Sequence, residues 1–173
     1  MHATSALTLA AIFDLDGTLV DSYDAHFEAW RLISARHGVA VTVDDYYSHF
    51  GRRNEDLLRE CWLRAGRGQL TPDEIAALDH EKEAAYREIV AVRFPIMDGA
   101  RELVASLRAA GFRTAVGSSG PPLNVQRAID GLELVAAFDA VVGENPGKER
   151  FLVGGQGKAE EESIKACLPG VVV

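Results

Sequence analysis

The chain has 173 residues, 25% charged and 47% hydrophobic, with 18 Lys plus Arg against 26 Asp plus Glu and a formal net charge of −8. These proportions describe a globular protein with a packed core and exclude a disordered or collagen-like chain. The acidic balance excludes a nucleic-acid binder that works by bulk charge, so an anionic substrate needs a local cluster of positive groups or a metal.

The run Leu7–Phe13 (LTLAAIF) is short and apolar and ends abruptly in Asp14-Leu15-Asp16-Gly17, which predicts a buried strand delivering polar groups at its carboxyl end. Ligands of open α/β sheets gather at that end. Tyr23–His37 carries Ala25, Phe27, Ala29, Trp30, Ile33 and Ser34 at helical spacing, with Gly38 as a stop. Val43–His49 and Asn54–Arg64 read as two further helical pieces, and Phe50-Gly51-Arg52-Arg53 between them puts both arginines on a loop. Thr71-Pro72-Asp73-Glu74 combines an N-cap, a proline at N1 and capping-box spacing, predicting a long helix towards Val92. Trp30 and Trp62 sit at helical spacing among apolar neighbours and read as core.

After Pro95, Gly99–Ala110 reads as a helix closed by Gly111, and Phe112–Gly117 as a buried strand. Ser118-Ser119-Gly120-Pro121-Pro122 is a turn into another helix, and Phe138–Val142 is one more strand. This order predicts an α/β protein with a Rossmann-like parallel-sheet core formed by residues 1–21 and 94–173, and a helical domain of residues 22–93 inserted after the first strand. The hinges fall near residues 20–22 and 93–98. From Gly143 onward the chain holds three of its four lysines and six of its 16 glycines, which suits either a Gly-rich loop with a surface helix or an irregular end of the gene.

Cys61 and Cys167 lack a metal-ligand spacing and read as reduced thiols. The first residues lack the basic flank and apolar length of a signal peptide, and no run reaches the ~20 apolar residues of a membrane span. The expectation is a cytoplasmic protein with no membrane and no nucleic-acid partner.

Asp14 and Asp16 at the tip of a buried strand, followed at once by Gly17 and Thr18, are costly to place together unless a cation or proton is shared. A divalent ion answers that need; the alternative is an ordinary Asp-Gly turn capped by Asp16. Ser118 stands where a strand gives way to a helix, so it marks either a phosphate cradle or a Ser-Gly turn with Ser119 as N-cap.

The segment FDLDGTLVDS resembles the first motif of the haloacid dehalogenase superfamily of phosphatases and phosphomutases. The helical stretch is similar to the helical cap of its beta-phosphoglucomutase-like subgroup, and AVGSSGPPLNV to that subgroup's second motif; the resemblance covers roughly residues 10–142. It implies that Asp14 is a nucleophile that becomes an aspartyl phosphate, and that Asp16 protonates the leaving oxygen and deprotonates the attacking water. It implies Mg2+ held by the Asp14 carboxylate and the Asp16 carbonyl, with Thr18, Ser118 and the amides of Ser119 and Gly120 around the phosphate. Lys148 is the best local match to the third-motif cation, the alternative being a solvated surface lysine. His26, in DAHFEAWR, and Arg52 with Arg53, on the loop expected to face the core, are implied substrate contacts. The alternatives are a partly buried helix histidine and a solvated loop. His37, His49 and His80 show no partner pattern and receive no role.

The resemblance implies a Mg-dependent phosphomonoester hydrolase acting on a small phosphorylated metabolite. The alternatives are a beta-phosphoglucomutase-like sugar phosphomutase, or a truncated non-catalytic fragment of either. The last is raised because the fourth-motif acids are not found; Leu168–Val173 would begin the strand that precedes them. An incomplete sheet would leave an edge inviting self-association, so a monomer or weak dimer is expected.

Overall fold

The computed structural model describes residues 9–49, 52–143 and the backbone of 151–152. Contacts divide the chain into two compact units, one of Met1–Asp21 with Phe94–Val173, the other of Ser22–Arg93.

In the first unit β1 (Ala10–Phe13), β2 (Arg113–Ser118) and β3 (Ala140–Gly143) run parallel in that order, and β4 (Phe151–Leu152) adds antiparallel to β3. Phe13 pairs with Val116 and Val116 with Val141, so one row of apolar side chains crosses all three parallel strands. Two helices supply the layer it packs against. α5 (Ala100–Ala109) buries Ala100 and Val104 at i, i+4, and α6 (Pro122–Leu132) buries Val125, Ala128, Ile129 and Leu132 at i, i+3, i+4, i+7. Complete burial of a Val or Leu side chain contributes about 1.5–3 kcal/mol, so this layer fixes the α/β core. The result is a Rossmann-like α/β fold in which the parallel strands all end on one edge.

The strands differ from expectation at their starts. Leu7–Phe13 was expected to be buried throughout, yet β1 begins at Ala10, and Leu9 and Ile12 are exposed. Among the described strands β1 lies at the end of the sheet, so only part of its surface is covered. The strand expected from Phe138 begins at Ala140, because Asp139 is held as a staple. Its N–H donates to the Thr114 carbonyl (2.7 Å), and its Oδ2 accepts the Thr114 N–H (2.9 Å) and Arg108 (3.0 Å). Burial pushes this carboxyl up, but the Thr114 N–H, Arg113 and Arg108 outweigh it and hold it below its ordinary range.

The second unit holds α1 (Tyr23–Arg36), α2 (Val43–His49), α3 (Asn54–Arg64) and α4 (Pro72–Val92). The predicted capping box is present: Glu74 N–H donates to Thr71 Oγ1 and Thr71 N–H to Glu74 Oε2. α1 packs along α4, with Trp30 and Ile33 fully buried, and Trp62 of α3 is buried too. Lys82 is buried on α4 in the i, i+4 row with Leu78, Tyr86 and Val90. Its ammonium donates to Glu83 Oε1 (2.6 Å) and lies 5.5 Å from the centre of the Trp30 ring.

Candidate active site

The loop after β1 is shaped by one carbonyl. Leu15 O accepts the N–H groups of Thr18 (3.1 Å), Leu19 (2.9 Å) and Val20 (2.9 Å), while Gly17 N–H donates to Val20 O (2.8 Å). Gly17 takes φ +73°, a conformation L side chains rarely adopt. Leu15, Leu19 and Val20 are at most 2% exposed and anchor the loop, while Asp14, Asp16, Gly17 and Thr18 are exposed. Strand alternation thus sends both carboxylates outward around a buried leucine. Asp14 Oδ1 accepts the Leu15 N–H at 2.7 Å, which orients the carboxylate.

The loop is stapled from behind: Asp21 N–H donates to Pro95 O (2.9 Å), Met97 N–H to Leu19 O (3.1 Å), and Val20 bridges Ile96. The two hinge segments inferred from sequence are thereby held side by side. No sequence signal pointed to this pairing, because it depends on backbone groups alone.

Parallel pairing brings the end of β2 to the same sheet edge, Phe13 standing opposite Val116. Ser118 Oγ accepts the Gly120 N–H at 3.1 Å, which leaves the hydroxyl hydrogen available to a further acceptor. A Cβ on Gly120 would stand 3.2 Å from Ser118 Oγ and 3.8 Å from Asp16 Oδ2, so the first and second segments converge at a position that has no side chain. The structure corrects the alternative in which Ser119 caps the next helix: the N-cap of α6 is Pro121, with no side-chain cap bond, and Ser119 is exposed. Its cause is the proline pair, which sets the helical entry two residues further on. Pro122 lacks an N–H at N1, and the first turn of α6 opens directly after the Ser118–Gly120 loop.

Lys148 and Leu168–Val173 lie outside the described residues. In the helical unit, the His26 ring stacks flat on Tyr86 (3.9 Å between ring centres, 8°). Arg52 and Arg53 are exposed; Arg52 pairs with Asp56 at 3.4 Å, and Arg53 is the N-cap of α3. Cys61 is buried, and burial, then the Asp45 charge, push its thiol up, the opposite of a reactive cysteine. No helix among the described residues is long and apolar enough to cross a membrane.

Asp14 and Asp16 offer hard oxygen donors suited to magnesium. Among the described residues no group of three or more His, Cys, Asp or Glu gathers as a metal cage.

The family model for haloacid dehalogenase-like hydrolases matches residues 8–168. The chain is 31% identical over 160 residues to hexitol phosphatase A of Escherichia coli (strain K12), covering 88% of this chain and 71% of that protein. It is 26% identical over 136 residues to beta-phosphoglucomutase of Bacillus subtilis (strain 168), covering 77% of this chain but 59% of the relative. A crystal structure of a haloacid dehalogenase hydrolase from Entamoeba histolytica superposes with a TM-score of 0.72 at 20% identity, covering 94% of this chain and 71% of that one, a likeness of fold.

Proposed function

The chain belongs to the haloacid dehalogenase-like hydrolases, and from that premise we propose that it hydrolyses a small phosphomonoester with Asp14 as nucleophile and Asp16 as acid and base. The observation that supports this reading is the convergence of Asp16 Oδ2 and Ser118 Oγ on Gly120, at the carboxyl edge of the parallel strands. An oxygen of Asp14, its partner oxygen pinned by the Leu15 N–H, attacks phosphorus while the ester P–O bond breaks. Asp16 gives its proton to the departing alkoxide. It then takes one from the water that attacks the aspartyl phosphate, freeing inorganic phosphate and restoring Asp14.

Ser118 donates its hydroxyl hydrogen to a phosphoryl oxygen, with Thr18 and the amide of Ser119 completing the cradle, while the Gly120 N–H orients the Ser118 hydroxyl from behind. The Asp14 carboxylate and Asp16 carbonyl are the groups proposed to hold Mg2+, which when bound neutralises charge on the transferring phosphoryl group. Lys148 is proposed as the balancing cation. Residues 22–93 are proposed as the cap, with Arg52, Arg53 and His26 as its contributions to substrate choice. Arg52 and Arg53 suit a carboxylate or second phosphate.

Asp14→Asn is expected to abolish Mg2+-dependent phosphate release from a sugar or polyol phosphate while leaving the melting temperature within a few degrees of wild type. Release that survives the change would refute the assignment. The likeness to a beta-phosphoglucomutase supports a second reading, in which the phosphoryl group returns to a sugar instead of to water. Following a sugar phosphate by 31P NMR separates the two: an isomer without inorganic phosphate means mutase.

A further inference from the structure

We propose that Gly131 is a seat for the Phe94 ring, and that Phe94 on this seat is a positioning residue for Asp16, acting through the backbone of residues 94–97 and of Val20. The link to catalysis rests on the reading of Asp16 as the acid; the seat itself does not.

Gly131 lies inside α6 and is not among the glycines with positive φ, so the backbone has no need of glycine there. Glycine is also the weakest helix former after proline. Space accounts for it instead. A Cβ at 131 would stand less than 3.0 Å from Cγ, Cδ1 and Cδ2 of Phe94, closer than real Cβ atoms come. The ring therefore rests against the bare α-carbon of the helix. Flipping the ring about its Cβ–Cγ bond leaves Cγ where it is, so only a shift of the whole side chain or of the backbone at 94 would make room.

α6 is not free to retreat. Val125, Ala128, Ile129 and Leu132 are buried in the core cluster, against which Phe94 also packs. From α5, Arg101 donates to the carbonyls of Leu132 (2.7 Å) and Gly131 (3.3 Å) and pairs with Glu133 (3.0 Å), fixing the end of the helix. In a close-packed interior a side chain added at 131 pushes on Phe94, and the displacement passes to the residues that follow it.

Those residues are the ones tied to the Asp14–Val20 loop. The Phe94 carbonyl accepts the Ile96 N–H (3.1 Å), a tight turn about Pro95 that couples the two flanking residues. Pro95 O accepts the Asp21 N–H, Met97 N–H donates to Leu19 O, and Ile96 bridges Val20. Val20 is bridged in turn to Asp16, so it is the residue that both bridges share. Its carbonyl also accepts the N–H of Gly17, next to Asp16. A proton donor must stand within hydrogen-bond reach of the leaving oxygen, and a misplacement of about 1 Å costs on the order of a hundred-fold.

The test uses the full chain as wild type, Gly131→Ala, Phe94→Ala and the double variant. Gly131→Ala should lower Tm by about 5 °C in the wild-type background. With the ring removed by Phe94→Ala, the same change should raise Tm, because alanine is the better helix former. A change of the same sign in both backgrounds overturns the seat. If Gly131→Ala does not fold alone, the double variant decides: folding regained supports the seat, and failure beside a folded Phe94→Ala overturns it. In whichever of Gly131→Ala and Phe94→Ala is folded, exchange protection of the Asp21 and Met97 amides should fall roughly ten-fold relative to Val116 in β2. Unchanged relative protection overturns the transmission to the loop.

The link to Asp16 is read from the leaving group. An alkyl phosphate departs as an alkoxide that needs a proton, whereas 4-nitrophenolate leaves without one. In the folded variant kcat/KM should fall about ten-fold for a polyol phosphate and less than about two-fold for 4-nitrophenyl phosphate. Equal falls, which a loss of folded protein would also produce, overturn the link to Asp16. If wild type releases phosphate from neither ester, the catalytic reading fails while the melting and exchange results still decide for or against the seat.

Discussion

Gly120 is where the two halves of the candidate site come within reach of each other. Its φ is ordinary, so a substitution there tests space and not backbone strain. A methyl 3.2 Å from Ser118 Oγ must displace that hydroxyl by a few tenths of an ångström, and 3.8 Å from Asp16 Oδ2 it also narrows the route to the acid. Gly120→Ala is therefore expected to lower kcat/KM by roughly ten-fold while changing stability by less than about 0.5 kcal/mol, read by steady-state kinetics beside a urea titration. Unchanged kinetics would place phosphate elsewhere. Asp14, Asp16 and Gly17 could be found from the chain itself, because strand alternation around an apolar Leu15 is a local pattern. The nearness of Asp16 to Gly120 could not, since the whole helical unit separates them and only the pairing of β1 with β2 brings them together.

At the scale of elements, α2 and α3 depend on charged ties as much as on apolar burial. Asp45 has a side chain only 10% exposed and takes four hydrogen bonds from Arg64 and Thr42. Arg64, outweighing burial, holds its carboxyl well below the usual carboxylate range. A depressed carboxyl contributes stability that is complete above the unfolded value, about pH 4, and lost only as pH falls through the folded one. Asp45→Asn is expected to cost about 1–2 kcal/mol at pH 7, the lower part of the range for such pairs because Arg64 is half exposed. The gap between variant and wild type should shrink in urea titrations only well below pH 4. A gap that closes between pH 7 and 5 would contradict the arrangement. Helix spacing revealed the existence of both helices. Which residue of one faces which residue of the other depends on the hairpin, so the pairing of Asp45 with Arg64 is not legible in either segment.

For the molecule as a whole, a net charge of −8 opposes the approach of a phosphate dianion except where cations focus it. Raising ionic strength from about 0.01 to 0.15 M shortens the Debye length from roughly 30 to 8 Å. With free Mg2+ held constant, kcat/KM for a dianionic ester should rise about two-fold across that range; a steep fall would mean that positive groups dominate the field at long range. The acidic balance, the D-x-D-G-T tip, the Ser-Ser-Gly turn and the change from strand to helix and back follow from local composition and periodicity, which act within a few residues and need no partner. The burial of Lys82 is not legible in its row with Leu78, Tyr86 and Val90, because the place of a charge depends on what receives it: Glu83 and the Trp30 ring. The hinge staple, the Asp139 clasp, the Gly120 convergence and the Asp45–Arg64 pair were decided by tertiary structure. Each joins groups from separate elements, and a hydrogen bond or close approach between them depends on register and packing, quantities that no single segment contains.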